Sequence, residues 1–131
     1  MAGALRALVI DDDRDLLNLI RLTLEFTAGW KVTTASSGVA GLSLATASSP
    51  RPPDGPALDL IVVDVMMPEM DGYEVCQRLK ADPATAGIPV VLLTARKELD
   101  EERVTRVGAV GVVLKPFDPQ QLARQLSEHL P

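Results

Sequence analysis

Four segments of this chain run apolar and then stop on a chemically loaded residue. They are Leu5–Ile10 into Asp11-Asp12-Asp13, Leu60–Val63 into Asp64, Ile88–Leu93 into Thr94, and Val110–Leu114 into Lys115. Near-continuous apolar runs of this length are what strands look like when helices cover both faces of their sheet. If the four lie parallel in one sheet, their carboxyl ends share an edge. Carboxylates, a hydroxyl and an ammonium group then meet around one small hollow, and that hollow is the case for function.

Helical patterns fill the intervals. Leu16, Leu17, Ile20 and Leu24 fall on one helical face, with Asn18, Arg21 and Glu25 opposite. Trp30–Thr34 reads as a further strand. Ser36 or Ser37 can cap a helix from Gly38 to about Ala47, and Gly72 suits a tight turn ahead of a helix through Tyr73, Val75, Cys76 and Leu79. A charged helix is expected from about Lys97 to Val107, held by sparse anchors and hence free to shift. Asp118-Pro119-Gln120-Gln121 combines a capping aspartate with proline at the first helical position, and Leu122, Leu126 and Leu130 give the last helix its stripe. Five strands alternating with five helices indicate an α/β sheet wound in right-handed crossovers. The expectation is one domain over residues 1–131, with a core from about 5 to 130. Ser48–Pro56 holds four of the ten prolines and reads as a surface loop without a catalytic role.

The balance of 47% apolar and 24% charged residues belongs to a globular domain, and 131 residues suffice to bury a core. A net charge of −5 argues against direct, sequence-independent nucleic-acid binding, and 3% aromatics against a base-stacking surface. No apolar stretch approaches membrane-spanning length, the first residues do not read as a signal peptide, and Cys76 has no partner for an intrachain disulfide. A cytoplasmic protein is expected.

Ligands of open α/β sheets bind beyond the carboxyl ends of the strands, where strand order reverses. With order 2-1-3-4-5 the first and third strands are neighbours, and Asp11, Asp12 and Asp64 converge. Two unit charges about 4 Å apart repel by roughly 4 kcal/mol at an effective dielectric near 20. Three carboxylates therefore call for a counter-charge or take up protons. Hard oxygen ligands on a wet rim suit Mg²⁺. Lys115 offers a second positive charge and Thr94 a hydroxyl donor. That set is what in-line phosphoryl transfer requires, with a carboxylate as the attacking group. Asp64 is the expected nucleophile, because it stands alone on its strand while Asp11 and Asp12 can hold metal.

At this point the chain resembles the receiver domain of bacterial two-component response regulators, from about Leu5 to Leu130. The matching elements are Val9-Ile10-Asp11-Asp12-Asp13, Asp64-Val65-Met66-Met67-Pro68-Glu69-Met70-Asp71-Gly72, Leu93-Thr94-Ala95 and Leu114-Lys115-Pro116-Phe117. The resemblance implies a flavodoxin-like (βα)5 three-layer sandwich whose five-stranded parallel sheet has the order 2-1-3-4-5. It also implies phosphorylation of Asp64 by the phosphohistidine of a sensor histidine kinase or histidine phosphotransfer protein. Mg²⁺ would be held by Asp12, Asp64 and the Met66 backbone carbonyl, with Asp11 acting largely through water. Thr94 and Lys115 would contact the phosphoryl group, and the Lys115-Pro116 peptide would be cis.

Two departures from the family pattern stand out. Val112 occupies the place, three residues before the lysine, where the family usually carries an aromatic that swings as the threonine moves; valine is stiff and has no such swing. Met66 and Arg96 flank the path of the hydrolytic water in the family, and an apolar Met66 offers that water no hydrogen bond, so slow autodephosphorylation is expected.

Several features have plainer readings. One aspartate suffices to cap a helix, and Asp13 is the best candidate. Cys76 packs in its helix, and His129 is a solvated side chain rather than a phosphocarrier. Leu22 lies outside the first helix's core stripe, as an ordinary exposed leucine or as part of a docking face for a helical partner. The chain is expected to be a stand-alone regulator, monomeric or weakly dimeric, that signals through protein contacts and is not itself an enzyme. The alternatives are a receiver-like interaction domain that is not phosphorylated, or an aspartate-nucleophile phosphohydrolase. The latter usually carries a second aspartate where this chain has Met66. A flavin- or nucleotide-binding protein would place phosphate against three aspartates, which repel it.

Overall fold

The computed structural model describes residues 5–47 and 58–131. The Ser48–Pro56 loop expected from the prolines lies outside the described residues. Five parallel strands, β1 (Arg6–Ile10), β2 (Lys31–Ala35), β3 (Leu60–Asp64), β4 (Val90–Ala95) and β5 (Gly111–Lys115), form one sheet in the order β2-β1-β3-β4-β5. The helices are α1 (Arg14–Ala28), α2 (Gly38–Ala47), α3 (Gly72–Ala81), α4 (Glu101–Val107) and α5 (Pro119–Ser127). This is the expected doubly wound architecture.

The three central strands β1, β3 and β4 are buried on both faces because each alternates between two cores, while the edge strands β2 and β5 are only partly covered. Leu8 and Ile10 of β1 join Ile61, Val63, Val90 and Leu92 in a cluster with Val75, Cys76 and Leu79 of α3. Ala7 and Val9 face the other way, into a cluster with Leu17, Ile20 and Leu24 of α1 and Leu122 and Leu126 of α5. Each fully buried Leu or Ile contributes about 1.5–3 kcal/mol of apolar burial. The helix ends are set locally. Asp13 accepts from the amides of Asp15 and Leu16 at 3.0 and 3.1 Å, as expected of a cap, and Gly29 closes α1 in the left-handed conformation at φ 69°. Ser37, rather than Ser36, accepts from Ala40 N in α2, and Asp118 caps α5.

β4 starts at Val90, directly after Pro89, which has no amide to give the ladder and contributes only its carbonyl, accepting from Ile61 N. The charged helix is broken: Arg96–Glu98 form a single 3-10 turn, and α4 begins only after Asp100 caps it by accepting from Arg103 N at 3.2 Å. α4 buries only Val107, so the expectation of a weakly held helix stands. His129 is half-buried rather than solvated, and a Cβ on Gly111 would collide with its ring.

Candidate functional site

The strand registers bring the loaded residues to one edge. β1 pairs with β3, Ile10 opposite Val63, so that Asp11 and Asp64 follow on adjacent strands. On the other side Asp64 lies opposite Leu93, Thr94 opposite Leu114, and Ala95 opposite Lys115. Carboxylate oxygens of Asp11, Asp12 and Asp64 all lie within 4.8 Å of one another. Lys115 Nζ is 2.7 Å from Asp64 Oδ1 and 3.6 Å from Asp11 Oδ2. The predicted charged constellation is therefore assembled.

Its members differ in environment. Asp11 and Asp64 are buried, while Asp12 is exposed. Burial pushes the Asp11 carboxyl up to about 6; the neighbouring Asp64 charge adds to this, while the Asp13 amide and Lys115 oppose it. Burial also raises Asp64 above the usual carboxylate range, against the hydrogen bond and charge of Lys115. For Lys115, burial pulls downward, but the bond to Asp64 and the charges of Asp11 and Asp64 outweigh it and raise the ammonium above its ordinary value. Asp11 Oδ1 accepts from Asp13 N at 3.0 Å, whereas Asp11 Oδ2 is buried with no hydrogen-bond partner. An orphaned buried carboxylate oxygen beside two further oxygen ligands fits a hard divalent cation.

Thr94 is buried at the end of β4, and its hydroxyl donates to the Ala95 carbonyl at 3.2 Å. Contact with a group on Asp64 requires that hydroxyl to rotate. Met66, with its side chain 55% exposed, opens the β3–α3 loop. In that loop Glu69 adopts φ 68°, the left-handed region that side chains disfavour. Gly72 does not make the tight turn its sequence suggests. It donates to Val65 O at 2.9 Å, and a Cβ there would run into the Asp64 backbone carbonyl. The Lys115-Pro116 peptide is cis, as the resemblance implied. Val112 is half-buried against the α2–α4 side of the core, with no aromatic in its place.

Sequence reasoning missed two neighbours of the site. Glu98 stands in the 3-10 turn after Thr94 with its charge felt at Asp64. Tyr73 is buried, and its hydroxyl accepts from the amide of Asp100 at 2.9 Å, across 27 residues of chain. Nothing local in the sequence announces that pairing. The exposed Leu22 has company: Leu19 and Phe26 are also exposed, at 45% and 85%. At about 100° per residue the three lie on one side of α1, opposite its buried stripe.

Such a fold, with an acidic, cation-competent hollow closed by a lysine at the carboxyl edge of the sheet, defines the signal-receiving class of α/β domains. The chain belongs to the response regulator receiver domain family, whose model matches residues 7–127. It is 40% identical over 118 residues to the DNA-binding dual master transcriptional regulator RpaA of Synechocystis sp., covering 89% of this chain and 45% of that protein. It is 36% identical over 118 residues to the alkaline phosphatase synthesis transcriptional regulatory protein PhoP of Bacillus subtilis, with the same two coverages. Among solved structures, the chemotaxis response regulator CheY4 of Vibrio cholerae superposes with a TM-score of 0.84 at 28% identity, covering 98% of this chain and 100% of that one. A response regulator receiver domain protein of Clostridium thermocellum gives 0.80 at 28% identity, covering 95% and 93%. The chain thus spans about half the length of the curated relatives it matches, and the expectation of a stand-alone regulator draws no support from them. Among the described residues, no helix is long and apolar enough to cross a membrane.

Proposed function

We propose that this domain accepts a phosphoryl group on Asp64 from the phosphohistidine of a sensor histidine kinase or histidine phosphotransfer protein. The observation that carries the reading is the 2.7 Å pair between Lys115 and the buried Asp64, set beside Oδ2 of Asp11, which is buried without a hydrogen bond and 3.6 Å from the same ammonium. A carboxylate oxygen of Asp64 attacks phosphorus in line, the P–N bond to the donor imidazole breaks, and the imidazole leaves with that electron pair. Lys115 holds charge on the phosphoryl oxygens as it develops, and the Thr94 hydroxyl turns from Ala95 O to donate to another of them. Asp11, Asp12, Asp64 and the Met66 carbonyl would hold Mg²⁺, which when bound supplies positive charge to the transferring group. The product is a mixed anhydride that water can hydrolyse, suited to a transient signal rather than to turnover of a substrate.

The exposed Leu19, Leu22 and Phe26 give the donor's helices an apolar face on α1, the helix that begins next to Asp11-Asp12. Output passes through protein contacts, in the cytoplasm, by a single receiver domain over residues 1–131. Incubation with Mg²⁺ and acetyl phosphate, followed by peptide mapping, tests the assignment. A mass gain of one phosphoryl group on Asp64, lost in Asp64→Asn and with chelator, is expected. An unmodified Asp64 under these conditions leaves the interaction-domain alternative.

A further inference from the structure

β5 lacks the aromatic that the family pattern would place there, yet the chain's only tyrosine is buried elsewhere, between the acceptor loop and α4. Tyr73 follows Gly72, which is seated on the Asp64 carbonyl, so its backbone is fixed to the end of β3. Its hydroxyl accepts from Asp100 N, the amide of the residue that caps α4. The Arg103 guanidinium lies over its ring, 4.3 Å from the centroid, and pairs at 3.7 Å with Asp71, the cap of α3. Val107 is the only residue of α4 that is fully buried; Val104 packs beside it, and Cys76 Sγ donates to the Val107 carbonyl at 3.4 Å, so the remaining anchors lie in the helix's later turn.

We propose that Tyr73 is a positioning residue that couples the occupancy of Asp64 to the placement of α4, acting as a latch that phosphorylation opens. The inference rests on the acceptor reading of Asp64. Thr94 and Asp100 are joined by the single 3-10 turn Arg96–Glu98. A phosphoryl group on Asp64 gives the Thr94 hydroxyl an acceptor and adds negative charge facing Glu98. Both effects move the 94–100 segment relative to β3, while Tyr73 stays with β3 through Gly72. The bond that bridges the moving and the fixed part is Asp100 N–H to Tyr73 Oη. Its loss frees the cap of a short helix whose N-terminal end is otherwise held by the Arg103 salt bridge and cation–π contact, while Val104, Val107 and the Cys76 Sγ–Val107 O bond hold its later turn. Coupling is reciprocal, so a latch opened by mutation must favour loading of Asp64.

The test compares wild type, Tyr73→Phe and Arg103→Gln by amide hydrogen exchange of Glu101–Val107, before and after loading with Mg²⁺ and acetyl phosphate, with Asp64 occupancy followed by mass spectrometry. Loading is expected to speed α4 exchange in wild type. Tyr73→Phe, which removes one oxygen and keeps the packing, is expected to speed it about 2- to 10-fold before loading, the range of one hydrogen bond. It should also shrink the further gain on loading and raise the fraction of Asp64 occupied at a fixed ratio of acetyl phosphate to acetate. Arg103→Gln should shift all three readouts the same way. A tyrosine that merely supports α4 would loosen exchange and leave the occupied fraction of Asp64 unchanged, which overturns the latch. Wild-type α4 protection in Tyr73→Phe, or an undiminished response to loading, overturns it as well. If wild-type Asp64 is occupied but α4 does not respond, the latch falls and the acceptor reading stands. If Asp64 is never occupied, the acceptor reading falls and takes the latch with it.

Discussion

Lys115 Nζ sits 2.7 Å from Oδ1 of Asp64 and 3.6 Å from Oδ2 of Asp11, so one ammonium serves two buried carboxylates on neighbouring strands. One cation cannot balance both. The surplus negative charge shapes the acid–base behaviour of the site.

Asp11 is raised first by its burial, with the Asp64 charge adding to it. Its carboxyl stands at about 6 in the fold against an ordinary 3.8, so between these values the folded chain binds a proton that the unfolded chain releases. The stability this group contributes is full below about pH 4 and is lost as pH rises through about 6, a change on the order of 3 kcal/mol. In chelator, the melting temperature is expected to fall between pH 4.5 and pH 7, Asp11→Asn to flatten that slope, and Mg²⁺ to restore stability at pH 7.5. Asp12→Ala should stabilise the metal-free protein by less, because Asp12 is exposed. Melting curves that rise steadily across this window without metal would mean that Asp11 is already neutralised.

Removing Lys115 leaves Asp64 without its partner. Lys115→Met is expected to cost about 1–3 kcal/mol at pH 8, below the loss typical of a sealed pair because the lysine is 30% exposed. Asp64 is raised already, so protonation relieves it further and the cost should shrink toward pH 5. Denaturant titrations at the two pH values measure the difference. An equal loss at both pH values would assign the effect to packing.

Met66, two residues after Asp64, is exposed and offers a water no hydrogen bond. Met66→Asn is expected to shorten the lifetime of the phosphorylated protein several-fold without altering its Mg²⁺ requirement. Loss of the label after removal of donor gives the rate, and a lifetime no shorter than wild type removes Met66 from the hydrolytic path.

Glu69 holds a left-handed backbone at φ 68°. That conformation costs an L-residue about 1–2 kcal/mol, part of which glycine forfeits through the freedom of its unfolded state. Glu69→Gly is expected to stabilise by about 0.5–1 kcal/mol. Glu69→Val should destabilise, and urea midpoints of the two variants give opposite shifts if strain is the cause.

Most of the architecture was legible because strands buried on both faces have to be apolar throughout, and because each run stopped where the sheet edge meets water. The loaded residues at those stops, Asp11, Asp64, Thr94 and Lys115, lie on one edge for the same reason. Hidden were the features set by partners distant in sequence. The charged segment splits into a 3-10 turn and α4 at Asp100, whose side chain caps α4 and whose amide donates to the distant Tyr73. The need for glycine at 72 arises from the carbonyl of a residue eight positions earlier, not from a turn. His129 similarly looked solvent-facing until Gly111 made room for its ring. Charge patterns alone also ranked Asp11 and Asp12 as equals, whereas the end of β1 buries the first and exposes the second.

The seat of Gly72 on the Asp64 carbonyl has a practical corollary for anyone redesigning this module. Met66, exposed at the start of the β3–α3 loop, can be rewritten without touching the core, but position 72 works as a calibration point for the backbone of Asp64. An innocuous-looking alanine there would detune the acceptor while every charged group survived. In a genetic screen it would score as a signalling-dead allele with its full chemical inventory in place.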